Sequence, residues 1–365
     1  MSKGTTVDGS RRGQDSPRLG DRIRGVAAAL LLSAALTAPG AIAAQESHGG
    51  PFLYVANQPA ATVSVIDMSV NEVVETVDLQ TLGFGPNAKP HHIAVEPDGA
   101  HWYLSLIGEN RVLKFDRDNE LVGQAEFEVP GLLALDAADG VLYVGRSMSA
   151  VNPPQRIGAI DIATMDVDEI DVFYPRPHAL ALHPTGQFVY SASLGVNQIA
   201  AVDVASGLAN LVSLDGPPHA VVQFAVSPNG RNMVGTTQLT GQVMVFELAA
   251  MNRPELVRTV EVGGQPWHPV YTHDGRYVVV GSKMANKVSV IDPATGRVVK
   301  VIEGEGIAQP HGAAVSPDGR WIYVSNNNSK GDYTPQGAAD AGTVVVIDAG
   351  SLEIAKVIEV GAGAA

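Results

Sequence analysis

The chain contains no cysteine. That single absence excludes disulfides, thiolate zinc sites, iron–sulfur clusters, haem attached through Cys-x-x-Cys-His and a cysteine nucleophile. It also excludes a lipoprotein anchor, which needs a cysteine at its cleavage site. Aromatic residues make up only 5% and charged residues 17%, yet hydrophobic residues reach 45% of 365 positions. A chain so rich in apolar residues and so poor in charge is globular rather than disordered. Basic residues are few beside acidic ones, 24 against 38, for a net charge of −14. A surface of that sign offers no electrostatic footprint for DNA or RNA. Apolar runs of bilayer-spanning length are also missing.

One shorter apolar run does occur, from Val26 to Ala38. Before it stand Lys3, Arg11, Arg12, Arg18, Arg22 and Arg24, and after it comes the small-residue stretch Ala41-Ile42-Ala43-Ala44. A basic head, an apolar centre and an A-x-A-like site have the form of an export signal. The expected organisation is a signal peptide over 1–44, cut after Ala43 or Ala44, and one folded body over 45–365. The product would then be periplasmic or secreted, with no membrane attachment once the signal is removed.

Glycine is plentiful, at 39 residues, and much of it marks a repeat. A short alternating strand ending in an acid recurs at Asp67, Asp116, Asp161, Asp203, Glu247, Asp292 and Asp348. The spacings average about 47 residues, the period of a four-stranded propeller blade. A second strand precedes each: FLYVAN, HWYLSL, VLYVGR, FVYSAS, NMVGTT, YVVVGS and WIYVSN. Turns such as PDG at 97–99 and 317–319 lead into most of these, with glycine supplying the positive φ of a tight hairpin. The repeating acids read as turn-capping groups rather than catalytic ones. The predicted fold is all-β, a seven-bladed β-propeller of four-stranded antiparallel blades, strands A to D, with A innermost. The first repeat begins at strand B. Its inner position is left to residues 45–51, to the C-terminal tail Gly361–Ala365, or to nothing.

The repeat resembles that of the YVTN-type propellers, which are exported seven-bladed proteins. The residues that carry the likeness are PHGAAVSPDGRWIYVSN at 310–326, and FLYVAN followed by VSVID in the first repeat. The likeness spans 50–362 and implies a fold, not an activity.

Histidines are unevenly placed. Pro90-His91-His92, Pro177-His178, Pro218-His219, Pro266-Trp267-His268 and Pro310-His311 all fall between a strand D and the next strand A. Six imidazoles from five blades meet only at the axis, and converging imidazoles are how proteins bind copper or zinc without thiolates. Counted back from the hairpin turn, His91, His178 and His311 share one phase. Trp267 holds that phase in blade 6, so His268 matches His92, and His219 lies three residues early. The predicted metal set is His91, His92, His178, His219, His268 and His311. His48, His101, His183 and His273 fall elsewhere. Arg146 and Lys283, at the ends of B strands on the same face as Glu109, Asn197, Gln238 and Asn326, are the candidates for holding a small anionic substrate or assisting at a metal. Two long B-to-C loops, 147–155 and 326–342, border this face, and Tyr333 on the second is placed to reach the mouth.

The axial histidines and the His91-His92 pair also resemble the propeller domain of nitrous oxide reductase and thiocyanate dehydrogenase, both copper enzymes. This chain departs from the former in lacking cysteine and a second copper domain. A redox role therefore implies an external electron partner. Three functions follow: a metal-binding propeller acting as copper oxidoreductase or metal carrier; a non-catalytic scaffold for a protein or ligand; and a lactonase-like hydrolase.

Overall fold

The computed structural model describes residues 50–365; the expected signal peptide lies outside them. Among the described residues, twenty-seven strands form seven antiparallel sheets, and the one 3₁₀ turn is Ile107–Glu109. No described helix is long and apolar enough to cross a membrane. The architecture is a seven-bladed β-propeller. Six blades have four strands in the order A-B-C-D.

Local chemistry explains each blade. B and C strands alternate small and branched apolar residues and are buried on both faces, as at Trp321–Asn326 and Lys287–Asp292. Both faces must be apolar because blades stack face to face around the ring. D strands are exposed on alternate residues or more, as at Arg297–Ile302, and form the rim. The aspartates that end C strands cap the turn that follows. Ser69 N–H donates to Asp67 Oδ1 at 2.8 Å, Ala163 N–H to Asp161 at 2.8 Å, Ala294 N–H to Asp292 at 2.9 Å and Gly350 N–H to Asp348 at 3.0 Å. The carboxylates of Asp292 and Asp348 are held below the usual range chiefly by the hydroxyl and N–H of the residues they cap.

Blade 1 takes one of the forms that the sequence leaves open. It has three strands, Phe52–Asn57, Thr62–Asp67 and Glu72–Asp78. The C-terminal tail reaches its inner edge but pairs only at the mouth end. Asn57 bridges Ala364, and Ala365 N–H donates to Ala56 O at 2.9 Å. Strand D of blade 7, Glu353–Ala362, thus runs on to close the ring. Val55 and Ile66 of blade 1 pack with Tyr323, Val344, Val346, Ile358 and Val360 of blade 7 in one buried cluster. Tyr323 Oη donates to Asn71 Oδ1 at 2.6 Å across the same seam.

The inner strands line the axis and carry a shared irregularity. Register shifts occur between Pro90 and Ile93, Pro130 and Leu133, Pro177 and Ala179, Val221 and Gln223, and Pro310 and Ala313. These are β-bulges, which re-aim side chains at the end of a strand. Just before each A strand or its equivalent stands a non-glycine residue of positive φ: Lys89, Val129, Arg176, Ala220, Gln265 and Gln309. The strained turn is held by a repeated bond. The N–H after each B strand donates to that residue's carbonyl, as Ile107 does to Lys89 and Lys283 to Gln265.

Candidate functional site at the mouth of the channel

The bulge in blade 2 allows two consecutive residues, His91 and His92, to approach the axis where regular alternation would separate them. His311 is the second residue of the inner strand of blade 7, Pro310–Val315, and His268 precedes the short inner strand of blade 6, Val270–Tyr271. Four rings gather. Centroid separations are 4.8 Å for His268–His311, 5.8 Å for His92–His268, 6.1 Å for His91–His311 and 6.3 Å for His91–His268. His178 joins from blade 4, near enough to influence His91, His92, His268 and His311 electrostatically.

The cluster is neutral at pH 7. Burial pushes His91 down to about 3, with His178 and His92 adding to the effect. Burial likewise takes His92 and His178 to about 4 and holds His268 and His311 well below the usual imidazole value.

Hydrogen bonding divides the rings. His92 Nδ1 accepts from Leu133 N–H at 3.2 Å, so its proton sits on Nε2. His178 Nδ1 donates to Arg146 O at 2.7 Å, which leaves the lone pair on Nε2. His91 Nδ1, His268 Nε2 and His311 Nδ1 are buried with no partner. Such groups are uncommon in folded proteins, and here three lie in one cluster on three blades.

His219 stands apart from the other five. Its Nε2 meets Asp215 O at 2.9 Å in its own loop and its Nδ1 meets Thr240 Oγ1 at 3.3 Å in the B-to-C turn of the same blade, so both nitrogens are engaged. The three-residue phase difference in the sequence becomes a different position in space. His183 and His273 join neighbouring blades through Gly230 O and Ser316 O, and His101 pairs with Glu96.

The two cation candidates separate. Arg146 is 1% exposed, lies over the Phe127 ring at 3.8 Å, and bonds Glu169 and Glu128 O. It is built into blade 3, with its carbonyl orienting His178. Lys283 sits at the mouth, 5.0 Å from the centre of the Trp267 ring, and burial lowers its pKa. Tyr333 does not reach the mouth: its hydroxyl donates to Glu359 at 3.0 Å on the rim strand of blade 7. Glu109 accepts from Gly85 N–H at 2.9 Å, and Asn197 Oδ1 from His219 N–H at 3.0 Å. Asn326 bonds the Val324 carbonyl, and the Gln238 N–H bonds that of Ala220.

Two features were not assigned from sequence. Trp267 was visible as the phase equivalent of His91, yet its role depends on a neighbour from the B strand. A cavity of about 730 Å³ runs from His91, His92 and His268 along the incomplete inner edge of blade 1 to Asp98 and Arg117. The repeat that lacks strand A was the available signal for it.

A metal's fit can be judged from the rings. Metal–nitrogen bonds of 2.0–2.1 Å set tetrahedral imidazole centroids about 5 Å apart. His268–His311 already meets that spacing, and the other pairs are roughly 1 Å wider. Among the described residues, no three candidate ligands stand already converged on one point. The donor chemistry fits, and closure would need a small inward movement.

A lactonase model, described as a 7-bladed β-propeller, matches residues 168–331, which is under half of the chain. The Kuenenia stuttgartiensis hydrazine synthase structure is similar at 18% identity and TM-score 0.65, over 85% of this chain and 99% of that one. A streptogramin B lyase structure is similar at 14% identity and TM-score 0.63, over 76% and 87%. A structure of dihydro-heme d1 dehydrogenase NirN in complex with DHE is similar at 15% identity and TM-score 0.58, over 90% and 76%. These likenesses agree with the seven-bladed fold, and at such identities they speak for the fold alone.

Proposed function

We propose that the protein is an exported YVTN-type propeller that binds one copper or zinc ion at the channel mouth, as a copper oxidoreductase or a metal carrier. The observation that carries this reading is the set of orphaned nitrogens on His91, His268 and His311. A cation supplies all three with a partner at once and needs the neutral rings that burial already provides. His178 stands near with its Nε2 lone pair available, while His92 and His219 serve as neighbours rather than ligands. Copper is preferred over zinc for an all-nitrogen set in the divalent series. A copper ion here would supply one-electron chemistry and would draw on an external electron partner. Elemental analysis of the purified tag-free protein beside a His91→Ala/His311→Ala double variant tests the proposal. About one equivalent in the wild type and its loss in the variant are expected. Equal content in both would favour a metal-free scaffold.

The lactonase match favours a second reading, hydrolysis of a cyclic ester in the axial cavity. The rings at the mouth are weak bases, His91 and His92 pushed down to about 3 and about 4 by burial, which argues against them as general bases at neutral pH. Lactone turnover by chelator-treated protein, abolished in the double variant, would put this reading first.

A further inference from the structure

Beside the imidazole cluster lies a second set of unsatisfied groups, and these are donors. Trp267 is 5% exposed, and its indole N–H has no hydrogen-bond partner. An indole nitrogen can only donate, so the missing partner is an acceptor. Trp102 shows what a satisfied buried tryptophan looks like here: its N–H donates to Asn119 Oδ1 at 3.0 Å. Over the Trp267 ring stands Lys283, which forms no ion pair and no side-chain hydrogen bond among the described residues. The two arginines beside the mouth have partners: Arg146 bonds Glu169, and Arg176 bonds Met148 O at 2.9 Å. The Trp267 ring lies 5.4 Å from His311 and 6.4 Å from His268, so these donors border the orphaned imidazoles.

We propose that Lys283 and the Trp267 indole N–H form a receptor for a small oxyanion, a carboxylate in the first instance, seated beside the histidine cluster. A cation and a neutral N–H, both lacking acceptors in a partly desolvated position, are complementary to one negative group with two oxygens. The charge-assisted bond to the ammonium supplies most of the affinity, and the indole bond fixes orientation. Imidazole lone pairs repel such a group, so the anion binds on the donor side. As a substrate or co-ligand site this extends the metal proposal, but it does not require the metal.

The test is a titration of chelator-treated, metal-free protein with sodium acetate at constant ionic strength, read from the three tryptophan indole N–H resonances. The Trp267 signal is identified by its absence in Trp267→Phe. It is expected to shift saturably, while the signals of Trp102 and Trp321 stay in place. Lys283→Met should weaken the apparent affinity about tenfold, the worth of one charge-assisted hydrogen bond, and Lys283→Arg should retain it. Unmoved Trp102 and Trp321 signals in the variants show that the fold is intact. A Trp267 signal that does not respond, or that responds equally in Lys283→Met, overturns the inference whatever the metal content proves to be. A response in metal-free protein alongside a negative metal analysis keeps this site and removes the metal.

Discussion

The repeating acids and the mouth histidines show how the same residue type is settled by its neighbours. Asp292 has a hydroxyl and two N–H groups to accept from in its own turn, and it spends its charge there. Asp292→Ala should therefore cost on the order of 0.5–1 kcal/mol in denaturant unfolding, with anion and metal binding unchanged. A folded variant that has lost binding would show that the turn communicates with the mouth. His183 and His219 likewise have both ring nitrogens engaged, His183 with Thr185 and with Gly230 O of the next blade, His219 with Asp215 O and Thr240. His91, His268 and His311 differ because their strands bring them to a place where the surrounding backbone is already paired.

At the level of elements, what positions the mouth is a bulge preceded by a left-handed residue, and neither is written plainly in the sequence. The blade strands were legible because alternation and glycine turns repeat seven times. The inner-strand bulge has no residue signature: Pro90-His91-His92, Pro130-Gly131-Leu132 and Pro310-His311-Gly312 all adopt it. Sequence phase set His219 three residues apart from the other histidines, and the structure places it apart in space, with its nitrogens on Asp215 O and Thr240 Oγ1. The open question of blade 1 had a geometric answer, a tail that pairs only at one end. That tail contributes the buried Ala364 and the bond to Ala56 O. Removing Gly363–Ala365 should lower unfolding stability by about 1–2 kcal/mol. Unchanged urea midpoints would show that the seam is held by the Tyr323 and Ile358 cluster alone.

For the molecule as a whole, a neutral imidazole cluster links stability to pH. An unfolded histidine takes its proton near 6.5, whereas His91, His92 and His178 resist until about 3 to 4. Between those values the unfolded chain binds more protons, so stability is full above about pH 7 and falls as pH drops through 6 toward 4. The turn carboxylates, whose folded pKa values are lowered, add a further loss at the acid end of that range. Melting temperature of metal-free protein should fall steeply from pH 7 to 5, and His268→Leu should flatten the slope. A parallel slope in the variant would assign the acid sensitivity to other groups.

The seam between the first and last blades also sets the order of assembly. Its closing contacts join residues far apart in the chain: 252 positions from Asn71 to Tyr323 and 284 from Glu72 to Lys356. Neighbouring blades meet over one repeat, so each new blade can dock on its predecessor as the chain grows. Closing the ring costs about 1.6 kcal/mol more loop entropy than docking one blade on the next. That step waits until strand D of blade 7 has formed, because the tail is its continuation. The histidines gather from blades 2, 4, 6 and 7, so their cluster is completed only as the ring shuts. A cation that needs all of them cannot bind a half-built circle, and its capture would report the end of folding rather than its beginning.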